Sequence, residues 1–162
     1  MIGKRQRQPI GVQIRAYIDI DGVLLRDGKQ GPELIPRFRR VVSYLKANFD
    51  CYWLTTHVRH ESGSAGAVAK LTPYLKKARI DPAVLSGIKP TEWETLKTEA
   101  IDFSWPFIWL DDDPFPSERR ILQENGCADC LASIDWRHRA TRLSVRRLKH
   151  IRRTLLRRVV CY

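Results

Sequence analysis

A chain of 162 residues is about one domain's worth and can bury a sizeable core. Its composition, 43% hydrophobic and 29% charged, is that of a soluble globular protein, and no apolar run approaches the roughly 20 residues that cross a bilayer, so membrane insertion is excluded. The net charge of +11 is unevenly placed: residues 136–162 carry ten Lys and Arg and no acid, while the preceding body is close to neutral.

The basic start, Met1 to Arg7, leads into no apolar signal segment, and a cytoplasmic protein is expected. Val12 to Ile20 is rich in β-branched and aromatic residues and reads as a strand that ends near Asp19. Gly28 and Gly31-Pro32 mark a loop or small flap around Arg26 to Pro32. From Pro36 to Asn48, Phe38, Val41, Val42 and Leu45 fall on one face of a helix, with Pro36 suited to its first turn. Cys51-Tyr52-Trp53-Leu54 reads as a buried parallel strand closed by Thr55-Thr56. Val68, Leu71, Tyr74 and Leu75 predict a second helix with Pro73 inside it, and Leu85 to Lys89 a short strand. Thr91 to Ile101 reads as a helix, with Thr91 as N-cap and Glu94 three residues on. Phe107 to Leu110 is the third apolar run and ends in Asp111-Asp112-Asp113. A helix over Pro116–Asn125 stops at Gly126, and Cys130 to Ile134 is a last strand. Cys127 and Cys130 have the spacing of half a zinc site but no second ligand pair, so a structural role is expected of them.

Strands alternating with helices imply a Rossmann-like α/β fold, a three-layer α/β/α sandwich with a mostly parallel sheet. A catalytic domain over residues 1–136 would carry a basic C-terminal helical extension, residues 137–162. In such sheets ligands sit at the carboxyl ends of the strands. The polar residues cluster there: Asp19 and Asp21, then Thr55 and Thr56, then Asp111 to Asp113.

Two carboxylates two residues apart at a strand end can face one region and hold a hard cation such as Mg²⁺, which relieves their repulsion. Thr55 offers a hydroxyl to a phosphate oxygen, with Thr56 as its rival. A lysine on the helix before the third acidic strand can pair with a transferring phosphoryl group. Lys97 is preferred to Lys89, since it lies nearer that strand. Asp111 and Asp112 complete the acidic shell, while Asp113 reads as a neighbour or helix cap. Trp53 and Trp109 read as core. His57 and His60 follow the second strand, with a surface role or substrate contact open to each.

The segments AYIDIDGVLL, YWLTTH, LKTEAI and FIWLDDDP, in this order over about residues 14 to 118, resemble the haloacid dehalogenase-like hydrolases. The resemblance implies a Mg²⁺-dependent phosphatase acting on a phosphorylated substrate. Asp19 would be the nucleophile that becomes an aspartyl-phosphate, and Asp21 would protonate the leaving oxygen and then activate water. Gly22, Thr55 and Thr56 would bind the phosphoryl group and Lys97 would stabilise its charge. Asp19, Asp111 and Asp112, with the backbone carbonyl of Asp21, would hold Mg²⁺.

Only 33 residues separate Asp21 from Thr55, too few for a large cap domain, so an open site fit for a large or nucleic-acid-linked phosphomonoester is expected. Arg137 to Arg158 reads as a helix whose Leu148, Ile151, Leu155 and Val159 dock on the body. Arg146, Arg147, Lys149, Arg152, Arg153, Arg157 and Arg158 would then face solvent, ready for nucleic acid or another polyanion. The alternative function is a catalytically weak module that holds nucleic acid through this helix.

Overall fold

The computed structural model describes residues 12–59 and 63–160; His60 lies outside them. The elements in chain order are β1 (Arg15–Ile18), β2 (Leu25–Gly28), β3 (Gly31–Leu34), α1 (Phe38–Asn48), β4 (Asp50–Trp53), α2 (Gly63–Lys77), β5 (Phe107–Asp111), α3 (Pro116–Glu124), β6 (Leu131–Ser133) and α4 (Val145–Val160). Single 3-10 turns occur at Thr56–Val58, Pro82–Leu85, Lys97–Ala100 and Ala128–Cys130. Four strands form a parallel sheet in the order β4-β1-β5-β6, and β2 and β3 form a separate antiparallel hairpin. This α/β architecture with a mostly parallel sheet is compatible with a Rossmann-like fold.

The sheet is buried on both faces, and its side chains divide by the two-residue period of a strand. Ala16, Ile18, Cys51, Trp53, Ile108 and Leu110 join one apolar cluster with α1, α2 and α4. Tyr17, Phe107 and Trp109 join the other, with Leu54, Ile101 and Leu122 of α3. Trp53 and Trp109 are therefore core residues, fully buried on opposite faces. The expected stripe Phe38, Val41, Val42 and Leu45 is the buried face of α1. In α4, Leu148 and Leu155 join the main core, with Ile151 packed partly against it.

Several boundaries differ from the sequence reading, each for a local reason. β1 covers Arg15–Ile18 rather than all of Val12 to Ile20. Helix α1 begins at Phe38, because Arg37 before it takes a left-handed backbone (φ 57°) as N-cap, and Pro36 lies outside the first turn. Helix α2 runs through Pro73. The strand expected over Leu85 to Lys89 shrinks to one bridge, Lys89 to Tyr52, since Leu85 closes a 3-10 turn and Pro90 lacks the N–H to extend the ladder.

The helix expected over Thr91 to Ile101 does not form. Thr91 is no N-cap: its hydroxyl donates to the Trp53 carbonyl at 2.6 Å, which ties the segment to the end of β4. Glu94 closes no box. Glu99 instead accepts from the backbone N–H groups of Glu94, Thr95 and Leu96, leaving one 3-10 turn at Lys97–Ala100. Tertiary anchoring has overridden a modest local propensity.

Helix α4 begins at Val145 rather than at Arg137. Asp135 captures the backbone N–H of Arg137 at 2.9 Å, Arg142 Nε donates to the Trp136 carbonyl at 2.8 Å, and Ser144 Oγ accepts from the Arg147 N–H at 3.2 Å as an N-terminal cap. Arg147, Arg152 and Arg158 are not free surface cations either, Arg158 being paired with Asp129. Arg147 donates to the carbonyls of Ser133 and Thr141, and Arg152 to that of Asn48. No helix of the described residues is long and apolar enough to cross a membrane.

Candidate functional site

The parallel register sets the geometry. Ile18 of β1 is paired with Trp53 on one side and Leu110 on the other, so the residues that follow all three strands emerge together. The ladder continues one step beyond the named strands: Asp19 N–H donates to the Leu110 carbonyl at 3.1 Å and Leu54 N–H to that of Ile18 at 2.9 Å. Asp19 thus stands between the segment leading to Thr55 and Asp111.

Lys97 joins the two acids. Its Nζ lies 2.5 Å from Asp19 Oδ2 and 2.6 Å from Asp111 Oδ2, in a nearly closed setting where Asp111 is 1% exposed and Asp19 8%. The other oxygen of Asp19 accepts the Ile20 N–H at 2.7 Å. The Asp19 carboxyl is raised to about 6, because burial and then the charge of Asp111 push it up by more than Lys97 and the Ile20 N–H pull it down. Burial also works against the charge on Lys97, but Asp19 and Asp111 outweigh it and hold the ammonium above its ordinary value. Lys89, the rival lysine, stands elsewhere, paired with Asp50 at 2.7 Å.

Asp112 is exposed yet belongs to the same group: ligand oxygens of Asp19, Asp111 and Asp112 all lie within 4.8 Å of one another. Burial, then the charge of Asp111, raises the Asp112 carboxyl. Three hard oxygen donors with mutually raised charge costs suit a divalent cation such as Mg²⁺. Asp113 points its backbone inward, its N–H donating to Asp111 Oδ1 at 3.0 Å.

Gly22 makes room for Asp112. A Cβ built on Gly22 would lie 2.0 Å from Asp112 Oδ2, and the backbone φ of +70° disfavours any other residue. Its carbonyl accepts the Trp136 indole N–H at 2.9 Å, which fastens the start of the C-terminal segment to the site. Gly22→Ala is expected to displace Asp112 and to weaken by about tenfold or more any affinity of the three carboxylates for a divalent cation, read by titration calorimetry with Mg²⁺. An unchanged affinity would remove Asp112 from the metal set.

Asp21 is turned away from this cluster. Its two oxygens are held separately, Oδ2 by His57 Nε2 at 2.6 Å and Oδ1 by Lys70 Nζ at 3.3 Å. Burial pushes the carboxyl up, but the hydrogen bonds from His57 and Lys70 prevail and hold it below its usual value. The Asp21 side chain is therefore not in the three-carboxylate group. Thr55 is fully buried and its Oγ1 has no hydrogen-bond partner, whereas Thr56 is exposed. A buried hydroxyl without a partner is costly, and a ligand oxygen would satisfy it.

Two supporting residues escaped the sequence reading. Lys70 sits on α2 without a motif, and only the tertiary fold brings it to Asp21. Glu118 is 2% exposed and accepts the Lys97 N–H at 2.7 Å and the Phe115 N–H at 2.8 Å, fixing the turn that carries Lys97 to the start of α3. A Glu at the third position of α3, behind Pro116, was the available signal. Glu118→Ala should cost about 2–4 kcal/mol in urea unfolding, by leaving two backbone donors without acceptors. Glu118→Gln, which keeps one acceptor oxygen, should lose less; equal losses would refute the capping role.

The paired cysteines play a packing part. Cys127 Sγ donates to the Leu122 carbonyl, and burial raises both thiols, Cys130 to about 12. The β2–β3 hairpin is braced by Arg26 and Glu33 at 2.7 Å, and Arg26 leans over the Trp136 ring. Between Asp21 and α1 this hairpin is the whole insertion. Compared with known proteins, the chain matches no family model, no curated protein and no solved structure.

Proposed function

We propose that the chain is a Mg²⁺-dependent phosphohydrolase that cleaves phosphomonoesters through an aspartyl-phosphate on Asp19. The observation that carries the reading is Lys97, placed within 2.6 Å of both Asp19 and Asp111 from a separate segment. A buried lysine that neutralises a nucleophile and a metal-binding acid is what attack on an anionic phosphate requires. The order of motifs shared with the haloacid dehalogenase-like hydrolases supports the same chemistry. Apolar clusters on both sides of the sheet support the finer reading of a three-layer sandwich, with residues 1–136 as its catalytic part.

Asp19, Asp111 and Asp112, with the backbone carbonyl of Asp21, would hold Mg²⁺, which neutralises phosphoryl oxygens and lets a carboxylate approach them. The protein's own residues then divide the work. Asp19 attacks phosphorus as the bond to the leaving oxygen breaks; Asp21, ionised and held by His57 and Lys70 in the free site, must turn inward and take up a proton before it gives that oxygen its proton. Water next attacks phosphorus, Asp21 takes its proton, and the Asp19–phosphorus bond breaks to release inorganic phosphate. Thr55 donates its unpartnered hydroxyl to a phosphoryl oxygen, while Lys97 balances the added negative charge. Thr56 and the Gly22 backbone would add further contacts to the phosphoryl group. Between Asp21 and α1 the chain inserts no more than a hairpin, and the lack of a cap domain there supports a large substrate such as a phosphorylated nucleic-acid end. The test is release of phosphate from a generic aryl phosphate with and without Mg²⁺. Release that ignores the metal, or none across a panel of phosphomonoesters, would refute the reading.

A further inference from the structure

Helices α1 and α4 lie side by side. Lys149 Nζ stands 6.0 Å from the centroid of the Tyr44 ring, and Arg152 donates to the Asn48 carbonyl. Contacts one turn apart advance in the same direction on both helices, so the two run parallel. Neither contains an Asp or Glu. Along α4, Arg146, Lys149, Arg153 and Arg157 recur at spacings of three, four and four, all exposed and on the side away from the buried Leu148 and Leu155. The exposed Arg40 of α1 adds to this surface. It also lines, with Arg37, Arg39 and Ser43, an open groove of about 830 Å³ at the start of α1.

Several surface cations elsewhere are already neutralised by acids. Arg15, Arg26, Lys89, Arg120 and Arg137 each have a carboxylate within 4.0 Å. Among the described residues, Arg40, Arg146, Lys149, Arg153 and Arg157 pair with none. The α4 stripe extends on the order of 16 Å, at 1.5 Å per residue, which is enough to follow successive phosphates of a chain. A lipid surface fits poorly. The exposed large hydrophobic residues among the described ones, Trp105 and Phe115, belong to neither helix, so no apolar anchor accompanies the charge.

We propose that the paired α1–α4 face docks nucleic acid, gripping its phosphodiester backbone rather than its bases. This surface goes beyond the hydrolytic site and stands on different residues. Phosphate-led binding is insensitive to base sequence, and it weakens with salt as counterions are released.

Fluorescence anisotropy with labelled 20-mers of oligo(dT) and oligo(U) tests it. Wild type should bind both, with log affinity falling against log salt at a slope of roughly −3.5 for five contacts. Arg146→Glu/Arg153→Glu should weaken binding by about tenfold or more. Arg119→Glu/Arg120→Glu changes the net charge equally on α3 and should shift it by less than about threefold. Asp19→Asn should leave affinity unchanged, which separates this proposal from the catalytic one. If the first pair fails to fold, Lys149→Ala/Arg157→Ala reads the same surface. Equal losses from both charge-reversed pairs, absence of oligonucleotide binding, or tighter binding to anionic lipid vesicles or to polyglutamate than to the oligomers would each overturn the proposal.

Discussion

Asp19→Asn should lower Mg²⁺-dependent phosphate release by about 10³-fold or more while leaving the fold intact. The amide keeps the shape of the carboxyl and still accepts the Ile20 N–H, and Lys97 loses one ionic partner but keeps Asp111, so the end of β1 holds its place at some cost in stability. What it loses is nucleophilicity at phosphorus, and a group that forms the covalent intermediate cannot be bypassed cheaply. Steady-state release from an aryl phosphate, with thermal unfolding as the control on folding, reads this out. Equal rates for variant and wild type would show that Asp19 is no nucleophile. An equal fall in rate and in thermal stability would assign it to structure alone.

Lys97→Met should be the most destabilising single change at the site. The lysine side chain is 14% exposed and separates two carboxylates that are themselves almost buried. Removing one partner from such a buried ionic group costs about 3–5 kcal/mol, since the remaining charges stay desolvated and now repel. The pH dependence follows from the sign of the shift on Asp19. Burial already raises that carboxyl to about 6, and without Lys97 it rises further. A folded-state pKa above the unfolded one favours folding at low pH and loses that contribution as pH rises through the folded value. The deficit of Lys97→Met should therefore be largest at neutral pH and shrink toward pH 5. Added Mg²⁺ should recover part of it at neutral pH, through binding to the uncovered carboxylates. Urea unfolding at two pH values, with and without Mg²⁺, measures all three effects. A deficit that grows on acidification would contradict this electrostatic origin.

The sheet and the carboxylates at its end were legible from sequence because short apolar runs buried on both faces end abruptly in polar residues. Ile18-Asp19, Leu54-Thr55 and Leu110-Asp111 each mark the point where a strand leaves the core. Once those runs are read as neighbouring parallel strands, their ends must meet. Lys97 could be singled out by its position before the third run, although its support could not: the turn that carries it is made by Glu99 and Glu118, not by a helix from Thr91. The pairing of Asp21 with His57 and Lys70 was hidden for the same reason, since it depends on where α2 settles against the turn after β4. The tail was legible as a cationic helix with an apolar stripe. Which arginines stay outside was not, because Arg147 and Arg152 find backbone carbonyls that only the folded chain presents.

Acid-quenched mass spectrometry of the protein during turnover of an aryl phosphate bears most directly on the central claim. The account predicts a phosphoryl group on the peptide that carries Asp19, formed only with Mg²⁺, labile at neutral pH and absent in Asp19→Asn. Turnover without any phosphorylated peptide, or with the group on another residue, would contradict it.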